Sequence, residues 1–341
     1  MTSETLPATM RTSVLAKAGE LTVEDRPVPQ PAADEVLVRV AAVGVCGSDT
    51  HYYREGRIGD FVVESPLVLG HEVSGQIVAV GADVAADRVG ERVAIEPQRP
   101  CRVCEQCKAG RYNLCYDLSF YATPPVDGAL CGYVTIPADF AYPVPDTISD
   151  EAAALMEPLS VAIWACRKAQ VVPGSRVLIA GAGPIGVITT QAARAFGASE
   201  VIVTDPVASR REMAVRFGAS AAFDPAAGGT DDLGVDAFID ASGAQPAIAA
   251  GIKAVRPAGY VVLVGLGAPE MSLPVMLIQT RELHVTGIFR YTDTWPTAID
   301  LVARGVVDLD GLVTARFGLD EVQQALEADR EPGALKAVVV L

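Results

Sequence analysis

The stretch Arg-Val-Leu-Ile-Ala-Gly-Ala-Gly-Pro-Ile-Gly, residues 176–186, decides the fold of about half of this chain. Its first five residues form an apolar strand pattern. The next six have the form Gly-x-Gly-x-x-Gly and lead into a helical pattern that ends near Phe196. Such glycines allow a tight turn and a close approach of the backbone to a pyrophosphate, and the helix N-terminus offers amide donors. The sequence therefore predicts a dinucleotide-binding loop at Gly181, Gly183, Pro184, Ile185 and Gly186.

A second strand pattern, residues 200–204, ends in Asp205, nineteen residues after Gly186. A carboxylate at that position accepts hydrogen bonds from the ribose diol of NAD and repels the 2′-phosphate of NADP, so we expect NAD. Arg210 and Arg211 favour the opposite preference, although both also fit a solvated helix face. We expect Arg210 to stack on the adenine or to reach the ribose.

Strand and helix patterns alternate through this part of the chain. Four more apolar runs follow residues 200–204, at 221–224, 236–241, 259–266 and 284–289. Six short strands with helical connections are typical of a doubly wound parallel sheet. The part before residue 155 is rich in β-patterns instead, and the apolar segment 337–341 is predicted to return to that first domain as a terminal strand. The predicted domains are 1–155 with 293–341, and 156–292.

Composition narrows the class of protein. A chain of 341 residues with half of them hydrophobic suggests two folded domains, and a formal net charge of −15 argues against a nucleic-acid partner. The N-terminal sequence has no secretory pattern. The uncharged run 177–193 is interrupted by glycine and proline, and it is shorter than the ~20 residues of a membrane span. We expect a cytoplasmic protein with no membrane partner.

Four cysteines lie within fifteen residues, in the pattern Cys-x2-Cys-x2-Cys-x7-Cys. Short spacers let one loop wrap a tetrahedral zinc ion, and thiolates are its preferred ligands in closed structural sites. The alternatives are ordinary buried thiols or disulfides, but only three other cysteines are scattered over the rest of the chain. The pattern favours a structural zinc site at Cys101, Cys104, Cys107 and Cys115.

A second group of metal-ligand residue types is less compact. Cys46 follows a strand pattern, and His71 and Glu72 come about 25 residues later. Cys46 and His71 together with one carboxylate could form an open catalytic zinc site with three protein ligands. Spacing alone leaves this undecided, because Cys46 could be a core thiol and His71 a hydrogen-bonded core imidazole. Cys131, Cys166 and His284 are interpreted as structural residues.

Taken together, these motifs resemble those of the zinc-containing medium-chain dehydrogenases, and specifically those of their polyol (sorbitol, or L-iditol 2-) dehydrogenase branch. The matching motifs are spread over almost the whole chain. Two stretches, GRIGDFVV (56–63) and FRYTDTWP (289–296), are specific to the polyol branch. These motifs are GVCGSDTHYY (44–53), GRIGDFVV (56–63), VLGHE (68–72), GRYNLC (110–115), ATPPVDG (122–128), EPLSV (157–161), GAGPIG (181–186), VLVGLG (262–267) and GIFRYTDTWP (287–296).

The resemblance implies a GroES-like β-rich catalytic domain joined to a Rossmann domain, and an open zinc site with Cys46, His71 and Glu72 as ligands. It places Glu157 beside that metal and implies proton release through Ser48, a zinc-bound water or Glu157, with His51 as an outer relay. His51 is the weakest of these assignments, since an exposed imidazole needs no function. The substrate residues implied are Tyr52, Phe120, Thr123, Glu157, Arg290 and Tyr291. The cofactor residues implied beyond the glycine loop, Asp205 and Arg210 are Val264, Gly265, Leu266, Ile288, Phe289 and Arg290.

The activity implied is the zinc-dependent oxidation of a sorbitol-, xylitol- or L-iditol-type polyol at C2 to the ketose, with NAD as hydride acceptor and two zinc ions per subunit. The resemblance also implies a homotetrameric assembly, with a dimer as the alternative. One rival hypothesis keeps the scaffold and changes the substrate to L-threonine or a secondary alcohol. Another is a catalytically silent nucleotide-binding or structural protein, but such a protein should have lost its metal ligands, and every expected ligand is present.

Overall fold

A computed structural model of the protein describes residues 6–230, 233–331 and 333–341. The described chain divides into two compact units. Unit 1 contains the described residues up to Glu157 together with Leu309–Leu341, and unit 2 is Pro158–Asp308. No helix in the described ranges is both long enough and apolar enough to cross a bilayer.

The second boundary differs from the expected one, because unit 2 continues to Asp308 instead of ending at residue 292. The segment that follows residue 292 is tied to earlier parts of unit 2. Arg167 donates to the carbonyl oxygen of Asp293 (2.6 Å) and to Oγ1 of Thr297 (3.1 Å). The side-chain amide of Gln191 bonds both backbone groups of Asp308. These contacts are long-range, and the local strand and helix patterns carry no trace of them.

The strands of the N-terminal part are short and numerous. They are β1 Thr9–Lys17, β2 Glu20–Pro27, β3 Glu35–Gly44, β4 Arg57–Ile58, β5 Phe61–Val62, β6 Leu67–Val68, β7 Glu72–Val80, β8 Arg92–Ile95, β9 Gln98–Arg99, β10 Ser119–Phe120, β11 Tyr133–Pro137 and β12 Ala141–Pro143. The helices that accompany them are α1 Gly47–Glu55, α2 Glu105–Lys108, α3 Asp150–Ala154 and α4 Met156–Lys168.

Strands and helices then alternate. The strands are β13 Arg176–Ala180, β14 Glu200–Thr204, β15 Ala221–Phe223, β16 Val235–Asp240, β17 Val255–Leu263 and β18 His284–Gly287. The helices are α5 Pro184–Ala195, α6 Ala208–Arg216, α7 Gln245–Ala254, α8 Val275–Thr280 and α9 Trp295–Ala303. The chain ends with β19 Val313–Phe317, α10 Val322–Glu327 and β20 Lys336–Val340.

The main sheet of unit 1 has the strand order β12-β8-β7-β3-β20-β19, and β11 also pairs with β3. Strand β3 lies inside this sheet, and most residues of EVLVRVAAVG are therefore buried, which suits its β-branched valines. Terminal strand β20 runs antiparallel to β3, with Val338 opposite Gly44. The predicted return of the C-terminus to the first domain is therefore confirmed.

A smaller sheet, β2-β1-β6, completes the core of unit 1. Buried aliphatic side chains from both sheets form one continuous cluster, including Leu15, Val38, Leu69, Ile77 and Leu130. Pairing of β3 with β7 places Gly44 opposite Glu72. This register brings the end of β3 and the start of β7 together, and the candidate metal ligands lie there.

Unit 2 is a parallel sheet with the order β15-β14-β13-β16-β17-β18. The chain begins at the centre, moves outward on one side and then fills the other, which is the doubly wound Rossmann order. The six predicted strands are therefore confirmed. Between β13 and α5, Gly181 has φ +96°, and a Cβ on Gly186 would lie 1.9 Å from the carbonyl oxygen of Gly181. Glycine is needed at both positions, for conformation at the first and for space at the second.

Candidate functional site

Cys46, His71 and Glu72 form a compact cluster in unit 1. Cys46 follows β3 by two residues and is the N-cap of α1, His71 immediately precedes β7, and Glu72 is the first residue of β7. One ligand atom from each of the three side chains lies within 4.8 Å of the others. The β3–β7 pairing therefore brings together residues that the sequence leaves 25 positions apart.

The surroundings of Glu72 are shaped for a bound cation. Its carboxylate is completely buried, and Oε2 has no hydrogen-bond partner. A Cβ on Gly44 would lie 2.0 Å from that oxygen, so glycine is required opposite it. A buried acceptor without a donor is costly unless something else satisfies it. A thiol, an imidazole and such a carboxylate are the donor set of an open zinc site, so the residues present fit the ion.

Asp49 supports two of the three ligands from behind. Its buried carboxylate accepts hydrogen bonds from the backbone N–H of Cys46 (3.0 Å) and of Gly70 (2.9 Å). Its Oδ1 also lies 3.7 Å from Nδ1 of His71. Burial raises the pKa of Asp49, but His71 and the two N–H donors outweigh burial and leave it lowered. A carboxylate behind a metal-binding histidine orients the ring and raises its basicity.

The electrostatic field of this cluster is negative. Burial disfavours a charged His71, yet the charges of Asp49 and Cys46 outweigh burial and raise the pKa of His71 well above 6.5. Lys336 behaves in the same way, since burial opposes its charge but Glu72, Cys46 and Glu157 raise its pKa. Buried sites that stabilise positive charge in this way suit a divalent cation.

Lys336 is the one lysine among the described residues that is buried against this cluster. It begins β20, its side chain is 4% exposed, and Nζ lies 2.5 Å from Oε1 of Glu72 and 2.7 Å from the carbonyl oxygen of Val45. It is therefore a direct neighbour of a candidate zinc ligand, although 264 residues separate the two along the chain.

The other predicted residues of unit 1 differ in burial. Glu157 and Tyr52 are buried, and Ser48 is half-buried in the first turn of α1. His51 is exposed, with Nδ1 3.0 Å from Oε1 of Glu55 one turn further along α1. The structure thus places His51 in a surface pair.

Phe120 and Thr123 belong to one turn beside the cluster. The ring of Phe120 lies 5.6 Å from the ring of His71. Thr123, half-buried, donates its N–H to the carbonyl oxygen of Phe120. Between them Ala122 is buried with φ +53°, a conformation that L-residues rarely adopt.

The four-cysteine loop is folded as a second ligand cluster. One sulfur from each of Cys101, Cys104, Cys107 and Cys115 lies within 4.8 Å of the others. Backbone N–H groups point at the sulfurs, from Cys101 to Cys115 (3.2 Å), Cys104 to Cys101 (3.4 Å) and Cys107 to Cys104 (3.5 Å). Such donors stabilise thiolates. Four sulfurs and no open position fit a structural zinc ion.

The nucleotide loop of unit 2 is tied to Asp205. Oδ2 of Asp205 accepts the N–H of Ala182 (2.8 Å), and Oδ1 accepts the N–H of Val207 (2.8 Å). The carboxylate is buried just after β14, and these two hydrogen bonds position the glycine loop against the end of that strand. Arg211 donates to the backbone carbonyls of Asp205 and Pro206 and serves the fold, whereas Arg210 is half-buried in the first turn of α6.

The remaining predicted residues of unit 2 follow the ends of β17 and β18. Gly265 packs tightly, since a Cβ there would lie 2.2 Å from the N of Gly243, while Leu266 beside it is exposed. The guanidinium of Arg290 lies 4.7 Å from the ring centre of Phe289, and Arg290 itself has φ +55°. Tyr291 is fully buried, with its ring edge-on to Trp295. Val264 and Ile288 are half-buried at the same strand ends.

Three residues of these sites escaped the sequence analysis. Asp49 had a detectable signal, because an acid three positions after an N-cap is typical of a helix start. Asp240 ends β16, where its buried carboxylate accepts the N–H groups of Ser242 and Gly243 and shapes the turn packed against Gly265. Lys336 had no signal, since it lies just before the predicted terminal strand.

Comparisons with known proteins agree with this picture. Residues 32–146 match the family described as alcohol dehydrogenase GroES-like domain, and residues 184–304 match the family described as zinc-binding dehydrogenase. Sorbitol dehydrogenase of Bacillus subtilis (strain 168) is 44% identical over 334 residues, which cover 95% of each chain. The probable D-xylulose reductase A of Aspergillus clavatus is 44% identical over 354 residues, covering 100% of this chain and 98% of the relative.

Solved structures that are similar in sequence also share the fold of this chain. L-idonate 5-dehydrogenase from Escherichia coli K-12 superposes with a TM-score of 0.92 at 30% identity, covering 98% of both chains. A zinc-binding dehydrogenase from Sinorhizobium meliloti 1021, bound to NADP, gives a TM-score of 0.91 at 31% identity and covers 98% of this chain and 100% of its own. With a GroES-like unit that clusters Cys46, His71 and Glu72, and a Rossmann unit with its glycine loop, this chain belongs to the zinc-dependent medium-chain alcohol dehydrogenase family.

Proposed function

We propose that this protein is an NAD-dependent, zinc-containing polyol dehydrogenase. It oxidises the C2 hydroxyl of a sorbitol-, xylitol- or L-iditol-type polyol, so that polyol and NAD⁺ become ketose, NADH and a proton. The observation that carries the proposal is the cluster of Cys46, His71 and Glu72 in a chain 44% identical to sorbitol dehydrogenase over 95% of its length.

Cys46, His71 and Glu72 would hold the catalytic zinc ion through one sulfur, one nitrogen and one oxygen. Three protein ligands leave a coordination position open for substrate, as catalytic sites require. The bound ion supplies a Lewis acid that polarises the substrate hydroxyl and eases loss of its proton. A carboxylate ligand in place of a second thiolate gives a harder site, which suits an oxygen-rich substrate.

The chain's own residues would handle the proton and orient the polyol. Ser48 and Glu157 belong to the same unit as the metal ligands, and either can take up or pass on the hydroxyl proton. His51, exposed beside Glu55, would be the last stage before solvent. Tyr52, Phe120 and Thr123 would line the pocket, while Arg290 and Tyr291 would bind the polyol hydroxyls.

The cofactor would lie on the glycine loop of unit 2. Gly181, Gly183, Pro184, Ile185 and Gly186 would cradle the pyrophosphate, whose negative charge the N-terminus of α5 favours. Asp205 would accept hydrogen bonds from the ribose diol, and its charge disfavours the 2′-phosphate of NADP. Arg210, Val264, Gly265, Leu266, Ile288 and Phe289 would complete the site, with the nicotinamide as hydride acceptor.

We also propose a second, structural zinc ion on the four-cysteine loop, and a homotetrameric assembly in the cytoplasm. The sulfur cluster supports the zinc ion. An exposed sheet edge supports self-association: β18 is largely exposed at the edge of its sheet, and Val285 within it is 36% exposed. Exposed apolar sheet edges are normally covered.

The test is the initial rate of NADH formation over a panel of polyols, L-threonine and 2-propanol, with NAD⁺ and NADP⁺, before and after chelation. Chelator-sensitive turnover of a polyol with NAD⁺ is the expected result. Activity confined to L-threonine or 2-propanol would move the protein to a sister branch of the family. A zinc-loaded protein without any activity on the panel would contradict the proposal and favour the catalytically silent alternative.

A further inference from the structure

Lys336 contacts the catalytic metal cluster from the last strand of the chain. Its Nζ donates to Oε1 of Glu72 and to the carbonyl oxygen of Val45, the residue before Cys46. Cys46 and Glu157 are the other negative groups that act on it. A buried ammonium needs such partners, because desolvation without them costs several kcal/mol.

The two oxygens of Glu72 are treated differently by this arrangement. Oε1 accepts the charge-assisted hydrogen bond from Lys336, whereas Oε2 is buried, packed against Gly44 and without a hydrogen bond. A carboxylate held by one oxygen has lost its freedom to rotate and offers a single oxygen to a metal ion. A carboxylate with both oxygens free could also turn away from the site or bind through both of them.

Backbone pairing between β20 and the end of β3 fixes the position of Lys336. Val338, two residues after Lys336, pairs with Gly44, and the N–H of Val45 donates to the carbonyl oxygen of Ala337 (3.0 Å). Lys336 is thus attached to the same segment, Gly44–Cys46, that carries the sulfur ligand. Its other end holds the oxygen ligand, so it links the two.

We propose that Lys336 is a positioning residue for the catalytic zinc site, which holds Glu72 by Oε1 so that Oε2 is the one carboxylate oxygen directed at the metal. The inference rests on the proposed function, because it requires Cys46, His71 and Glu72 to be metal ligands. Without the ammonium, Oε1 of Glu72 would lose its charge-assisted hydrogen bond, and the carboxylate would be freer to rotate. Glu72 would then be a less fixed ligand, and a bound zinc ion would leave the site faster.

The experiment compares Lys336→Met, which keeps the length and removes the charge, with Lys336→Arg, which keeps the charge. Val339→Ala is the control for general loosening of β20, since Val339 lies in the unit 1 core on the same strand. Zinc per chain is measured after dialysis against a chelator, and the rate of zinc release is followed with a chromophoric chelator. The visible spectrum of the cobalt-substituted protein reports the coordination of the site without any turnover.

The wild type should hold two zinc ions per chain. Lys336→Met should release one of them about 10- to 100-fold faster, the loss typical when a residue supporting a metal ligand is removed. Its cobalt spectrum should change, while the second zinc ion stays. Lys336→Arg should release zinc at nearly the wild-type rate. Val339→Ala should lower the melting temperature and keep both ions.

A Lys336→Met protein with wild-type zinc release and an unchanged cobalt spectrum would overturn the proposal, whatever its melting temperature. If Lys336→Met does not fold, Lys336→Gln replaces it, with the same expected release and the same contradicting outcome. A wild-type protein that binds only the four-cysteine zinc ion would refute the proposed catalytic site itself, a result distinct from failure of the Lys336 inference.

Discussion

Glu96 shows how strongly burial acts on a single residue of this protein. Its carboxyl group is completely buried beside the four-cysteine loop, where Oε1 accepts hydrogen bonds from the hydroxyl of Tyr112 (2.9 Å) and the amide of Gln98 (2.8 Å). Burial outweighs these donors and raises the pKa of Glu96 from 4.5 to about 8. Glu96 is therefore mostly protonated at neutral pH, although it lies outside both ligand clusters.

This raised pKa predicts a specific pH dependence of stability. The folded state keeps the proton up to about pH 8, whereas the unfolded chain releases it above about pH 4.5, so stability falls as the pH rises between these values. Glu96→Gln should remove this dependence and stabilise the protein by about 1–3 kcal/mol at pH 8, with little effect at pH 4. Thermal unfolding at several pH values measures the difference, and a constant difference between variant and wild type across the range would contradict the prediction.

His71 carries the sharpest prediction for catalysis. His71→Ala removes the nitrogen ligand, and kcat/KM should fall about 10³-fold or more, in line with the several kcal/mol that a Lewis-acid metal contributes. NADH binding, measured by fluorescence, should be unchanged, because the glycine loop belongs to unit 2. His284→Ala is the matched control, since His284 stacks on Tyr260 far along the chain in unit 2. If a His71→Ala protein whose zinc content has been measured still shows substantial turnover, the assignment of His71 as a catalytic zinc ligand is wrong.

At the scale of elements, individual side chains attach the two candidate binding loops to the rest of their units. The four-cysteine loop is attached to the body of unit 1 by Arg102, which pairs with Asp139 (2.6 Å) and lies 5.5 Å from the ring centre of Phe140. The glycine loop is attached to β14 by Asp205. The first attachment is made by side chains at both ends, whereas Asp205 binds the backbone N–H of Ala182 in the glycine loop.

The four-cysteine loop should stabilise the fold and take no part in catalysis. Cys104→Ala should lose one zinc ion and lower the melting temperature by at least about 5 °C, while the remaining folded protein keeps its kcat. Cys166→Ala, a buried thiol outside both clusters, is the control and should keep both zinc ions. A Cys104→Ala protein that is as stable as the wild type and inactive would reverse this division of roles.

The end of β14 should set cofactor preference. Asp205→Asn keeps the shape and an acceptor for Ala182 but removes the charge that disfavours a 2′-phosphate. The ratio of kcat/KM for NAD over NADP should fall roughly tenfold, which corresponds to about 1.4 kcal/mol. Asp224→Asn makes the same change after the neighbouring strand β15 and should leave the ratio as it is. An unchanged ratio for Asp205→Asn would show that other groups select the cofactor.

At the scale of the whole molecule, the two halves of the proposed chemistry belong to different folding units. Both ligand clusters lie in unit 1, and the cofactor loop lies in unit 2. The chain leaves unit 1 after Glu157 and returns to it at Leu309, so the C-terminal strand is built into the sheet beside which the proposed metal ligands lie. Removal of the last residues should therefore damage the metal site as well as the fold.

Assembly is also a property of the whole molecule. If the exposed edge at β18 joins copies, Val285→Lys should give a smaller species than the wild type in sedimentation velocity, because a lysine blocks pairing of sheet edges. Val23→Lys places the same charge on an exposed residue of another edge strand, β2, and should leave the assembly intact. A Val285→Lys protein of wild-type size would locate the interface elsewhere, and a monomeric wild type would refute the proposed homotetramer.

The sequence by itself determined the features whose signal is local. The order of strands and helices in unit 2, the glycine loop and the four-cysteine loop could all be predicted, because each depends on residues within about one element of one another. The pairing of Cys46 with His71 and Glu72 was undecided on spacing and followed from resemblance alone. Only the tertiary structure brought them within 4.8 Å, through the β3–β7 register.

What the tertiary structure alone decided depends on contacts between distant segments. Lys336 and Glu72 meet across 264 residues, and Gln191 with Arg167 keeps residues 293–308 in unit 2. Propensity and periodicity describe only neighbours along the chain, and a buried ion pair leaves no periodic trace in either partner's segment. The residue types of the proposed ligands could therefore be recognised in local sequence. Their long-range neighbours, such as Lys336 beside Glu72, became visible only in the folded sheet.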